Sequence, residues 1–212
     1  MSFALLLSYV LSIVLLIATP GPVVAYVTQV ALQQGRGVAW RTALGTSSGA
    51  LVLMALAALA VGGLLVLRPE ALAWLGLAGS GFLIVLAGSG LRDWAGQFHK
   101  NADSTAVGAA KPAGLGGWRR GFLVAVANPK DILFFAALFP QFLHGADNPM
   151  ARLGLLAAIW VGLDLLILGG YIAAAQHPRV QRHQRLLALL SLLMLLVMGL
   201  LAAGWSGWAL WS

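Results

Sequence analysis

The sequence predicts an all-α integral membrane protein: six transmembrane helices in two inverted three-helix repeats, with the first helix of each repeat broken at proline. Three observations carry this expectation. Of 212 residues, 60% are hydrophobic and 9% are charged, and the mean hydropathy is +0.90. A soluble domain has roughly 25% charged residues. The apolar residues fall into six runs, each close to or above the ~20 residues that a spanning helix needs. The first and fourth runs carry prolines in their interiors, at matching positions of the two halves. Three is an odd number of crossings, so the second half enters the membrane from the opposite face.

The first run extends from Phe3 to Leu32 and is interrupted by Thr19-Pro20-Gly21-Pro22. At about 30 residues it exceeds one straight crossing, which suits a broken or tilted helix. Met1-Ser2-Phe3 lacks the basic n-region of a signal peptide, so this run is read as retained. Gln33 to Gly37 is a polar turn, and the second run follows from Val38 to Leu67. Arg68-Pro69-Glu70 stops it, and the third run covers Ala71 to Leu91. Arg92 to Trp118 is rich in Ala, Gly and Lys, has no apolar period and reads as a flexible linker. The fourth run, Gly121 to Leu143, holds Asn128-Pro129-Lys130-Asp131 in its middle. His144 to Pro149 is a turn, Leu153 to Ala175 the fifth run, and Gln176 to Arg185 a basic loop. The sixth run, Leu186 to Leu210, ends among Trp205, Trp208 and Trp211, an interfacial belt. Residues 1–91 and 119–212 are therefore the two membrane repeats, and 92–118 is a cytoplasmic linker. A five-span count, with the second or third run only partly inserted, is the alternative.

The basic residues orient the chain. Arg36, Arg41, Arg92, Lys100, Lys111, Arg119, Arg120, Arg179, Arg182 and Arg185 all fall on one face; the other face has Arg68 and Arg152. By the positive-inside rule both termini are periplasmic. The formal charge of +7 thus points to a membrane face and anionic headgroups, with no nucleic-acid partner. With no cysteine, disulfides, thiolate metal sites and dithiol redox chemistry are excluded. His144, His177 and His183 have no metal-like spacing, and the chain has no phosphate loop, dinucleotide fingerprint or Ser-His-Asp order. No cofactor or metal is expected.

The polar interruption of the fourth run is where chemistry is expected. Pro129 gives no N–H to a helix and its ring clashes one turn back, while Asn128 before it is pushed out of helical geometry. In lipid, non-helical backbone survives only against protein or a water-filled cavity. Lys130 lies ten residues after Arg120, about 15 Å along a helix and so near the middle of a ~30 Å core. A charge there costs about 2.5–3.5 kcal/mol on insertion scales. The helix restarting after Pro129, and the one restarting after Pro22, expose N–H groups and a positive dipole end that attract a carboxylate. Lys130 adds a cation beside one of them. Asp131 and Asp164 are the acidic residues within the spans; they either bind a substrate ammonium group or exchange a proton, or one of them neutralises Lys130. Gly45-Thr46-Ser47-Ser48-Gly49 and Gly76-Leu77-Ala78-Gly79-Ser80 are small-residue faces suited to close helix packing, with a cavity lining as the alternative, and such faces permit a homodimer. Phe134, Phe135 and Phe139 read as core or lipid contacts.

With these residues in place, the chain resembles the lysine-exporter (LysE/RhtB) family of bacterial amino-acid exporters. Thr19-Pro20-Gly21-Pro22, followed by Gly35-Arg36 and by Gly45 and Gly49, carries the first part of the likeness. Asn128-Pro129-Lys130-Asp131, followed by Phe134-Phe135 and Phe139-Pro140-Gln141-Phe142, carries the second. The likeness covers nearly the whole chain. It implies secondary export of amino acids or their derivatives across the bacterial inner membrane, driven by proton antiport. Two positions depart from the family: Val23 stands where a polar residue often follows Pro-Gly-Pro, and Ala39 stands where a glycine is common. The first bears on specificity, because that position would face the cavity.

The expected activity is export of a small zwitterion by alternating access at a midplane site, with lipid and protons as the other partners. Pro20, Gly21, Pro22, Val23, Asn128, Pro129 and Lys130 would bind the substrate. Asp131 or Asp164 would hold its ammonium group or the coupling proton. Coupling needs a carboxyl whose proton affinity differs between the two access states. Two competitors are an intramembrane enzyme with Lys130 forming a Schiff base, and a channel-type or structural membrane protein.

Overall fold

The computed structural model describes residues 2–19, 21–63, 69–103, 116–143 and 148–211. Among the described residues the secondary structure is helical, as the composition predicts, with no strand. Helix α1, Phe3–Ala18, starts on Ser2, whose hydroxyl accepts from the Leu5 N–H at 3.3 Å. Helix α2, Pro22–Gln34, starts with proline at its first position, where the missing N–H leaves nothing unpaired. It ends at Gly35, whose φ of 85° lies in the left-handed region that glycine reaches without strain. Helix α3 is Arg36–Val61, α4 is Pro69–Asp103 and α5 is Trp118–Val126. After Asn128 come α6, Pro129–Leu133, a π-helical turn, Phe134–Leu138, and α7, Phe139–Leu143. Helix α8, Pro149–Ala175, is capped by the Asn148 side chain accepting from the Ala151 N–H at 3.0 Å. The short α9, Pro178–Arg182, and α10, Gln184–Trp211, complete the chain.

Three helical stretches, Arg36–Val61, Pro149–Ala175 and Arg185–Trp208, are each long and apolar enough to cross a membrane. The pair α1 and α2 bends by 52°, and the pair of α5 with Pro129–Leu143 bends by 51°. Counting each bent pair as one span gives up to five. The predicted third run contributes a shorter apolar stretch, Gly76–Arg92, inside α4. That helix runs on to Asp103, so the first part of the predicted linker is helical. The Gln176–Arg185 loop likewise contains α9. Among the earlier expectations, Pro20, Arg68, Lys111 and His144 lie outside the described residues.

The small-residue faces are packing surfaces. A Cβ at Gly45 would strike the Trp118 carbonyl, and one at Gly121 would strike the Thr42 carbonyl, so α3 and α5 touch backbone to backbone. A Cβ at Gly79 would come within 2.7 Å of the Ala127 carbonyl oxygen, which places α4 directly over the end of α5. The break before Pro129 is therefore enclosed by protein on two sides, the condition for irregular backbone at membrane depth. Two apolar cores result. One surrounds α2 and takes Ala39 and Ala43 of α3 with Leu168 and Ile172 of α8. The other surrounds α1, α6 and the π-helical turn, and takes Ala50 and Leu53 of α3 with Leu156 and Trp160 of α8. Thr46 and Ser47 on α3 and Asp164 on α8 fall between the two sets along their own helices, and all three are buried. The seam between the cores is polar.

Candidate functional site

The site begins with the two breaks. Helix α1 ends when the hydroxyl and the N–H of Thr19 both turn back on the Leu15 carbonyl, at 2.5 Å and 3.2 Å. The last carbonyls of a helix have no intrahelical partner, and here side chains from the other half of the sequence serve them. The Lys130 ammonium donates to the Leu16 carbonyl and, at 3.0 Å, to the Thr19 carbonyl. The Tyr171 hydroxyl of α8 donates to the Ala18 carbonyl at 3.0 Å. A cation at a helix C-terminus also meets the negative end of the dipole. Lys130 was expected beside a helix N-terminus; it lies in the first turn of α6, and a Cβ built on Gly21, the N-cap of α2, lies 3.5 Å from its Cδ and 3.8 Å from its Nζ, while its ammonium also closes the C-terminal end of α1.

The restarting helices differ. Gly21 caps α2 without a side chain, which leaves the first N–H groups of that helix without a capping partner from it. At the second break Asn128 is the cap: its side-chain carbonyl accepts from the Lys130 N–H at 3.2 Å, and its amide reaches the Asp131 carboxyl. The Ile132 N–H donates to the Asn128 carbonyl at 3.0 Å, which joins the break into α6. Asn128 and Asp131 are both buried.

Helix α8 supplies the third wall. Its inward stripe is Leu156, Trp160, Asp164, Leu168 and Ile172, the i, i+4 spacing of one helix face. Asp164 is 5% exposed, and its carboxyl oxygen accepts from the Ser47 hydroxyl of α3 at 2.5 Å. Trp160 packs against Phe134 and Phe135 with ring centroids 5.4 Å and 4.6 Å away. Those two rings come from the π-helical turn, which re-aims residues after Asp131; such turns recur at functional sites.

Both breaks, α3 and α8 contribute to the lining of one cleft. Gly21, Val23, Asn128, Lys130, Asp131 and Asp164, six of the positions expected from sequence, line it. Pro22 and Pro129 stand at the first helical positions behind it and shape the breaks; Pro20 lies outside the described residues. Val23 does face the cleft, as its departure from the family pattern required. Sequence reasoning gave no site role to Thr19 or Trp160, which line the cleft; Thr46 in the lining and Ser47 behind Asp164 belong to the small-residue face whose alternative reading was a cavity lining. A cleft with one ammonium group and two buried carboxyls, beside the Trp160 ring, has groups of both signs for a small zwitterion. No His, Asp and Glu group able to hold a metal occurs among the described residues.

The comparisons agree with one another. The model of the LysE type translocator family matches residues 14–204. An uncharacterized membrane protein of Pseudomonas aeruginosa is 34% identical over 181 residues, 82% of this chain and 83% of its own. A homoserine/homoserine lactone efflux protein of Salmonella typhimurium is 28% identical over 183 residues, 83% of this chain and 82% of its own. A threonine efflux protein of Escherichia coli is 31% identical over 147 residues, 68% of each chain. No solved structure matches the chain significantly.

Proposed function

The chain belongs to the LysE type translocator family, a family of membrane transporters and not of enzymes, and from that premise we propose that it exports amino acids or close derivatives by proton antiport. The names of its relatives, efflux proteins for homoserine and its lactone and for threonine, support the substrate class. One observation carries the site: residues of both broken segments and of α8 line a single cleft that holds Lys130, Asp131 and Asp164. In this reading the substrate carboxylate competes with the Leu16 and Thr19 carbonyls for the Lys130 ammonium. Drawing Lys130 away frees the end of α1 from the second break, and that release is the step that lets one half rock against the other. The substrate ammonium goes to Asp131 or Asp164, and the carboxyl left free takes the coupling proton. Ser47 holds Asp164 in place from α3.

The proposed architecture is six spans in two inverted halves, 1–91 and 119–212, with 92–118 on the cytoplasmic side and both termini in the periplasm of the inner membrane. The proline breaks at matching positions support it, as does the collection of ten basic residues on one face. The test is export from cells that overexpress the chain. They are loaded with dipeptides, and the external pool of each amino acid is followed with and without a protonophore. Faster loss of one or a few amino acids, abolished by the protonophore, is the expected result. Flux that ignores the proton gradient would replace the antiporter with a channel.

A further inference from the structure

Trp160 lines the cleft with a polar group that neither the protein nor the proposed mechanism pairs. It is 2% exposed, and its indole nitrogen is buried without a hydrogen-bond partner. A buried N–H left unpaired is unfavourable, so a native protein that keeps one at a site usually has a reason. A phenylalanine would supply the same packing against Phe134 and Phe135 without that penalty. The hydroxyl and ammonium donors in the lining are engaged. The Thr19 hydroxyl donates to Leu15 and the Thr46 hydroxyl to Ala43. The Lys130 ammonium donates to Leu16 and Thr19. Trp160 also stands four residues before Asp164, so ring and carboxyl share one face of α8 and line the same cleft.

We propose that the Trp160 N–H is a substrate-binding donor: it hydrogen-bonds a carboxylate oxygen of the transported amino acid and selects against amines that lack the carboxylate. The proposal rests on the exporter reading and assigns part of the carboxylate recognition to a residue other than Lys130. With the ammonium of the solute on Asp164, its carboxylate lies beside the same helix face, within the reach of an indole one turn away. A donor with no protein partner gains its hydrogen bond from the carboxylate, and an amine without a carboxylate forgoes that gain, which is the source of the selectivity.

The experiment uses the full chain in proteoliposomes, with Trp160→Phe, which keeps an aromatic ring and removes the N–H. Radiolabelled homoserine, threonine and leucine are the probes, and 3-aminopropan-1-ol, which is homoserine without its carboxylate, is the competitor. The expected result is a KM raised about tenfold for the amino acids, a maximal rate within about twofold, and inhibition by 3-aminopropan-1-ol identical in both proteins. An unchanged KM would overturn the proposal and leave the exporter reading standing. A KM that rises together with the inhibition constant of the amine would overturn it as well, by showing a general disturbance of the cleft. Wild-type protein that moves none of the three amino acids would overturn the exporter reading and this proposal with it. Should Trp160→Phe fold poorly, benzothienylalanine placed at position 160 by nonsense suppression replaces N–H with sulfur in a ring of the same shape, and the same outcomes apply.

Discussion

The two broken segments bend almost equally, by 52° and 51°, yet they are chemically unlike. The first, around Gly21, has no charged residue and no side-chain cap. The second has a capping asparagine, a lysine and an aspartate in succession. The lysine of the second then completes the first by closing the carbonyl end of α1. Proline at the first helical position gives both breaks their shape. The reactive groups were placed on one of them only. Two broken segments can share a backbone device and still divide the labour: the first break offers backbone, the second offers charge.

That division ranks the consequences of substitution. The largest is expected at Lys130. Lys130→Met keeps the apolar stem and removes the ammonium; transport should fall about 100-fold, since charge-assisted hydrogen bonds are the strong ones. Proteoliposome uptake checks this, with size-exclusion chromatography to confirm that the variant folds. Retained transport would remove the asymmetry. Next comes the packing of α3 against α5, the helix that leads into the second break. Gly45→Ala puts a methyl group into the Trp118 carbonyl and should lower stability by about 1–3 kcal/mol, read as thermal unfolding in detergent. The capping residue follows: Asn128→Ala should cost about 1 kcal/mol in the same assay. The smallest effect belongs to the first break. Gly21 has an extended backbone, φ −152° and ψ −179°, and its nearest neighbours to a built Cβ, Lys130 Cδ and Nζ and the Thr19 carbonyl, lie at 3.5 Å and 3.8 Å. Gly21→Ala should therefore stay within about 0.5 kcal/mol of wild type. A large loss there would mean that the first break depends on its glycine as much as the second does on its cap.

What was legible in the sequence follows from the same contrast. Asn128-Pro129-Lys130-Asp131 stands out because lipid penalises every one of those residues in a helix interior. Asp164 stands out for the same reason. The Gly45 and Gly49 face could be read as packing because small residues at i, i+4 have few other uses in a spanning helix. Trp160 could not be singled out, because an aromatic ring in an apolar helix looks like any other core residue until its N–H is found without a partner. Ser47 was hidden among Thr46, Ser48 and the glycines beside it. The use of Lys130 to close α1 left no trace either, since its acceptors, Leu16 and Thr19, are backbone carbonyls and any side chain could stand there. The extension of α4 to Asp103 was missed because Trp94, Ala95 and Phe98 among polar residues set no clear apolar period.

The meeting of the two breaks at one substrate site is tested most directly by thiol labelling, which the absence of cysteine makes free of background. Thr19→Cys puts a thiol in the cleft lining, and Leu133→Cys, at a position 59% exposed, puts one outside it. Both are reacted with a small methanethiosulfonate in proteoliposomes that transport, with and without homoserine, threonine or leucine. The prediction is that a transported amino acid slows labelling of the Thr19→Cys protein and leaves that of the Leu133→Cys protein unchanged. Labelling of Thr19→Cys that no transported amino acid slows would place the substrate elsewhere and contradict the site.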